Sequence, residues 1–178
     1  MASIRQMPRG TWQAIVRRNG HRPQIRTFDT KQDAKQWARL IESEIDRAVF
    51  VDRGPSERVT VQELVDRYTR EVAPKKKSSS SIQRTLRFAC RHFGCLTLAT
   101  LQPKDIAAYR DARIASGTAG ATVVKELNTL SRLIDVAMME WGYFLPANPF
   151  KLVSRPNTAR GRERRLLAEE ESKLVPVT

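Results

Sequence analysis

Residues 122–150 read TVVKELNTLSRLIDVAMMEWGYFLPANPF. Val123, Leu127, Leu130, Ile134, Ala137 and Trp141 recur there at alternating steps of four and three, the period of one helix face. Thr122 stands just ahead of the run as an N-cap, and Glu126 in the next turn favours a helix start. Gly142 lies where a C-cap glycine would, and Pro146 and Pro149 forbid continuation. The spacing predicts one helix of about 20 residues with its apolar seam inward. Its other face carries Lys125, Asn128, Thr129 and Arg132, donors suited to phosphates and base edges.

Working outward, a length of 178 residues suits one large or two small domains. Hydrophobic residues make up 40% of the chain, enough for a core. Lysine and arginine number 32 against 19 acidic residues, a formal charge of +13. Basic residues outnumber acidic ones by 11 to 6 in residues 1–55, 14 to 9 in 56–150 and 7 to 4 in 151–178. An excess spread over every part suits one long polyanion. A membrane surface also attracts cations, but no helix pairs a lysine-rich face with a fully apolar one. Nucleic acid is the better partner. Cys90 and Cys95 lack the second pair or spaced histidines of a zinc site, so they read as reduced packing thiols. No metal or cofactor is expected. MASIRQMPRG has no apolar signal-peptide core, and no run approaches transmembrane length. A cytoplasmic protein is expected.

The N-terminal stretch reads as three short strands. Ile4 to Met7 is the first, followed by a Pro8-Arg9-Gly10 turn. Trp12 to Arg18 alternates, with Trp12, Ala14 and Val16 on one face and Gln13, Ile15 and Arg17 on the other. Asn19-Gly20 signals a tight hairpin, and Pro23 to Phe28 returns. Thr30 and Asp33 then cap a helix with a seam of Ala34, Trp37, Ile41 and Ile45. Asp52 to Arg58, with Gly54 and Pro55, reads as a linker. Thr60 and Glu63 form a capping box for a helix burying Leu64, Val65, Tyr68 and Val72, which Pro74 ends. Lys75, Lys76, Lys77 and four serines make a basic turn. The helix from Ser80 to Phe93 turns Ile82, Leu86, Ala89 and Phe93 inward, and Gln83, Arg84, Arg87 and Arg91 outward. A further helix follows Pro103 and Asp105, with Ile106, Tyr109 and Arg113. Gly117 and Gly120 form the turn before the last helix. From Lys151 the composition becomes that of a polar basic linker.

Thr-x-x-x-Glu-Leu-x-x-Leu-Ser, then an alanine, Glu-Trp-Gly and Asn148-Pro149 resemble the last helix of the core-binding domain of tyrosine recombinases, the phage integrases and shufflon-type recombinases. Leu98 to Leu101 with Pro103 and Asp105 resembles that domain's approach to its third helix. The N-terminal strands resemble, more loosely, the arm-type DNA-binding domain of many phage integrases, whose sheet enters a groove. The resemblance implies an α+β, mainly α chain. A small three-stranded sheet with one helix precedes a four- to five-helix SAM-like bundle. The implied organisation is an arm-type domain over 1–52, a linker over 53–58, a core-binding domain over 59–150, and over 151–178 a basic linker with the start of a catalytic domain. Arg164-Arg165-Leu166-Leu167 and Glu169 to Glu171 resemble that domain's entrance.

It further implies sequence-specific binding of double-stranded DNA at a recombination or attachment site, with further recombinase protomers and no membrane. The implied location is the cytoplasm of a bacterium, on its nucleoid, from a chromosomal, phage or plasmid gene. Candidate contacts on the sheet are Arg5, Arg9, Gln13, Arg17, Arg18, Arg22, Gln24 and Arg26. On the helical unit they are Lys75, Lys76, Lys77, Arg84, Arg87, Arg91, Lys125, Asn128, Thr129 and Arg132, and in the linker Arg160 and Arg162. Cleavage by a tyrosine needs arginines, a lysine and histidines around the phosphate. Those belong to the family's catalytic domain, so no catalytic residue and no enzyme activity is assigned, and the chain reads as an excised or naturally truncated part. Tyr109 matches a structural aromatic. A stand-alone basic regulator, or an RNA-binding protein, remains an alternative that charge alone does not exclude.

Overall fold

In the computed structural model, which describes residues 2–158, the chain divides between Asp52 and Arg53 into two units, Met1–Asp52 and Arg53–Thr178. The first is an antiparallel meander of β1 (Ala2–Gln6), β2 (Trp12–Val16) and β3 (Gln24–Phe28), covered on one face by α1 (Lys31–Asp46). Between β1 and β2, Gly10 donates to the Met7 carbonyl at 2.9 Å and takes φ +83°, a conformation that glycine reaches without strain.

The second hairpin differs from its sequence signal. The strands stop at Val16 and resume at Gln24, so Asn19-Gly20 caps a loop over residues 17–23. His21 N–H donates to the Arg18 carbonyl at 3.1 Å, with Gly20 at φ +82°. A tight type I′ hairpin needs positive φ at both central residues, and among the described non-glycine residues only Ala48 has it.

Thr30 caps α1, its hydroxyl accepting from Asp33 N–H at 3.1 Å. The unit's core is small: Ala14, Val16, Ala34 and Ala38 are buried, flanked by half-buried Trp12, Phe28, Trp37, Ile41 and Ile45. Ala38 was not in the expected seam.

The second unit holds α2 (Gly54–Arg58), α3 (Val61–Glu71), α4 (Ser79–Phe93), α5 (Pro103–Ala115) and α6 (Gly120–Met139), followed by a 3-10 turn over Pro149–Leu152. Residues 54–58, expected as linker, form a helix whose Ser56 carbonyl accepts from Ala99 N–H at 3.0 Å. Glycine and proline there start a helical turn instead of loosening the chain, because Pro55 lies where no intrahelical donor is needed. The Thr60–Glu63 capping box is present, with Thr60 N–H donating to Glu63 Oε2 at 2.8 Å. Glu63's pKa is lowered by these bonds from Thr60.

Helix α6 begins earlier than its threonine suggested. Ala119 is the N-cap, so Thr122 and Gly120 are both helical. Gly120 is required by space: a Cβ there would lie 2.4 Å from the Asn157 carbonyl oxygen. Glu140 ends the helix, leaving Trp141 beyond it, half-buried, with the Arg67 guanidinium 4.3 Å from its ring centroid. Gly142 takes φ +73° in the turn that follows. Leu127, Leu130, Leu133, Ile134, Leu64, Leu86, Phe93, Ile106 and Phe150 form one core.

That core continues past residue 150. Val153 joins it, the Arg110 guanidinium donates to the Ser154 carbonyl at 3.0 Å, and Lys151 pairs with Asp135 at 2.8 Å. Lys151 to Arg155 therefore belong to the helical unit and not to a linker.

Candidate nucleic-acid interface

Three basic surfaces emerge, one on the first unit and two on the second. In the first, residues 2–28 contain six arginines and no acid, while all six carboxylates of residues 1–52 fall in 29–52. The strands and their turns are purely cationic; the acids lie on and around α1. Cross-strand register sorts the candidates further. Arg5 and Gln13 face each other on the side away from α1, with Arg5 Nε donating to Gln13 Oε1 at 2.9 Å. Arg26 pairs with Ala14 and Gln24 with Val16, so both stand on the helix-covered side, Arg26 with Phe28's ring 5.9 Å away. Those two leave the surface shared by Arg5 and Gln13 because strand side chains alternate. Arg9 and Arg22 are exposed in the two turns. Arg18 pairs with Asp46 at 3.0 Å, tying its loop to the end of α1.

On the second unit, the lysine turn and α4 are continuous. Lys75 ends a 3-10 turn, Lys76 and Lys77 are exposed, and α4 starts at Ser79. Leu86, Ala89 and Phe93 are buried, so Arg84, Arg87 and Arg91 stand outward. Arg87 and Arg91 line a groove against α3 with Gln62, Asp66, Thr69 and Gln83. Gln83 is half-buried and donates to Ser79 Oγ at 3.2 Å. On α6, Lys125, Asn128 and Arg132 are exposed, while Thr129 is half-buried and donates its hydroxyl to the Lys125 carbonyl at 2.9 Å. Thr129 thus spends its donor on its own helix. Arg160, Arg162 and the stretch 164–171 lie outside the described residues.

The groups that hold this surface were only partly visible in the sequence. Glu126 is buried, not a helix-start charge. It accepts Tyr109 Oη at 2.8 Å and both Arg113 Nε at 3.0 Å and Nη2 at 2.7 Å. Burial pushes its carboxyl pKa up, but the bonds from Arg113 and Tyr109 outweigh this and hold it below the ordinary value. Burial and the Glu126 carboxylate together push Tyr109 up. Asn148 does more than stop a helix: its amide donates to Ser131 O and Asp135 Oδ1, each at 2.9 Å, and its own oxygen accepts from Phe150 N–H. Burial raises the Cys90 thiol pKa to about 11, which makes it inert.

Among the described residues no helix is long and apolar enough to cross a membrane, and no three His, Cys, Asp or Glu side chains could hold a metal.

Residues 57–155 match the family model "Phage integrase, N-terminal domain". The chain belongs to the phage integrase family. A Haemophilus influenzae protein that bears an integrase/recombinase name is 28% identical over 94% of this chain and 44% of its own. The shufflon-specific DNA recombinase of Escherichia coli is 34% identical over 67% of this chain and 34% of its own. The chain thus spans less than half the length of these relatives. A lambda integrase tetramer solved on a Holliday junction shares the fold, with a TM-score of 0.55 at 20% identity over 96% of this chain and 51% of that one. A lambda integrase dimer solved on a COC' core site gives 0.53 at 21% identity, over 96% and 49%. The α+β, mainly α architecture expected from the sequence is that of the integrase N-terminal region.

Proposed function

We propose that this chain grasps duplex DNA as the non-cleaving N-terminal part of a site-specific tyrosine recombinase, alongside further protomers on the same site. One observation carries the reading. Arg84, Arg87 and Arg91 on α4, and Lys125, Asn128 and Arg132 on α6, stand outward on helices whose opposite sides make the core of an integrase-family domain. Exposed cations on two rigid helices supply phosphate contacts, and Asn128 and Arg132 add donors for base edges. The cationic sheet of the first unit provides a second grip, and joining two grips in one chain makes the second contact intramolecular. Tyr68 and Tyr109 are buried, and burial raises the pKa of each, with Arg132 opposing and Glu140 adding at Tyr68. Neither buried hydroxyl is open to a phosphate, which supports a structural role for these two tyrosines.

Titration of the full chain with duplex DNA at rising salt tests the reading. With roughly six to ten phosphate contacts, affinity should fall about a thousandfold or more between about 50 and 200 mM salt. A slope of log K against log salt shallower than about −3 removes simultaneous engagement of both units. Structured RNA that competes as well as duplex DNA removes the DNA assignment.

A further inference from the structure

The second unit carries a further groove, of about 440 Å³, lined by Arg58 of α2, by Leu64, Arg67 and Arg70 of α3, and by Tyr143 in the turn after α6. Glu63, Arg67 and Arg70 follow one another along α3 at steps of four and three, while Gln62, Asp66 and Thr69 make a second stripe in the groove of Arg87 and Arg91. The two sets of cations therefore line different grooves. Two features set this one apart from a solvated cluster of arginines. First, guanidiniums lie over rings: Arg67 over Trp141 at 4.3 Å and Arg53 over Phe144 at 5.7 Å. Second, the turn that carries these rings is pinned to α6. Trp141 N–H donates to the Val136 carbonyl at 3.2 Å, Tyr143 N–H to the Ala137 carbonyl at 3.0 Å, and Gly142 between them takes φ +73°. Arg67 spends Nε on Glu71 at 3.0 Å and Arg58 spends Nε on the Gly54 carbonyl at 3.2 Å, but each has terminal N–H groups besides. Glu63, the acid of the lining, accepts both the N–H and the hydroxyl of Thr60, which ties it to the helix cap.

We infer that this groove holds a single, unpaired DNA strand, with Tyr143 stacked on a base and Arg58, Arg67 and Arg70 on the phosphates beside it. The inference rests on the recombinase reading, because exchanging strands between two duplexes leaves bases unpaired on the way. It adds a site that grasping a duplex does not use. Ring faces decide between the two forms of DNA. A duplex stacks its bases on one another and shows a protein only their edges and phosphates, so an aromatic platform gains nothing from it. An unpaired base offers its flat face to a ring, whatever the sequence. Phosphates match three guanidiniums set against one committed carboxylate. An acidic peptide supplies the charge without the flat base. Arg67 and Arg70 are neighbours on one stripe, about 5–6 Å between Cβ atoms, so one flank of α3 can follow the backbone of a strand. A guanidinium stacked on a ring keeps its edge for a phosphate, and Arg67 over Trp141 is held in that way. The volume suits one or two nucleotides at a time, since pockets of about 300–1,000 Å³ hold small ligands.

The test uses the full chain, a thymidine homopolymer of about a dozen nucleotides, which has no strand to pair with, and a duplex site selected from a randomised pool. The other basic surfaces attract any polyanion, so the readout is the dependence on Tyr143 and not binding alone. Tyr143→Ala should weaken the single strand about 5- to 150-fold and leave the duplex unaffected, while Tyr143→Phe keeps wild-type affinity for both. Arg70→Ala should weaken the single strand and make its salt slope shallower by about 0.7. Arg70 is exposed, so this variant keeps the test open if Tyr143→Ala melts early. The inference is overturned if the folded variants hold the single strand as wild type does, if they lose single strand and duplex alike, or if oligoglutamate competes as well as the homopolymer. Failure of duplex binding with the Tyr143 dependence intact sinks the duplex-grasping reading and supports this one; failure of both probes sinks both.

Discussion

Glu126 sits between Lys125 and Leu127 near the start of the apolar run, where the sequence reads it as a charge that favours a helix start. The structure instead buries its carboxylate against Arg113 and Tyr109, with the Arg113 guanidinium also 4.4 Å from the centroid of Phe88. Removing one partner of such a pair leaves the other charge buried and uncompensated. Arg113→Ala should therefore cost about 2–3 kcal/mol, below the ~3–5 of a fully buried pair because the arginine is partly exposed. Chemical denaturation of the full chain measures it. The same cluster sets pH limits. Glu126's pKa is depressed below 4.5 on folding, so its stabilisation is present above that value and drains as pH falls through the lower folded value. Tyr109 is raised above 10.0, so its stabilisation is present below that and is lost as pH rises through the folded value. Melting curves across pH should show a shallower acid limb in Glu126→Gln and a shallower alkaline limb in Tyr109→Phe; limbs of unchanged slope in both variants refute this contribution.

At the scale of elements, α6 shows what a sequence rhythm can and cannot disclose. Its existence, length and apolar seam were legible because Val123, Leu127, Leu130, Ile134 and Ala137 repeat with the helical period and are all buried. The buried arc was broader than the seam: Leu133, Val136, Glu126 and Ser131 are buried too, since α3, α4, α5 and the turn at Phe150 pack around the same helix. Periodicity reports one face and does not count the neighbours. Its start was misread for a related reason. Thr122 has good capping chemistry, but Gly120 and the Asn157 backbone meet through a contact between distant residues that no local signal carries. The strand assignments were legible by alternation, whereas the helix-ward placement of Arg26 and Gln24 needed the register. Leu130→Ala should cost about 2–5 kcal/mol of stability through a core cavity. Arg132→Ala, on the exposed side, should leave melting nearly unchanged. It should instead weaken selected-site binding by about 1–3 kcal/mol and relax preference at particular base pairs. Lys76→Ala should weaken all duplexes alike and make the salt slope shallower by about one unit. The base-edge role proposed for α6 fails if Arg132→Ala and Asn128→Ala leave preference untouched in a folded protein.

Across the whole molecule the two units differ sharply in what holds them. Residues 53–158 share a core of large side chains, from Leu64 and Leu86 to Phe93 and Phe150, with buried polar staples at Glu126 and Asn148. The first unit has about 50 residues and fully buries only three alanines and Val16 in its inner core, leaning on half-buried Trp12, Phe28 and Trp37. Domains that small bury a low fraction of their surface and are marginal. Its arginines add mutual repulsion that a polyanion would relieve. The full chain should therefore melt in two steps, the first reporting the sheet and the second the helices. Tryptophan fluorescence separates them, because Trp12 and Trp37 belong to the first unit and Trp141 to the second. Duplex DNA stabilises whatever it binds by RT ln(1 + [L]/Kd), about 2.7 kcal/mol at one hundred times Kd. That increment is large against a marginal unit, so DNA should raise the first step more than the second, and the two should approach each other as DNA is added. A first step that ignores DNA while the second rises would assign all binding to the helical unit and leave the sheet's arginines without that role.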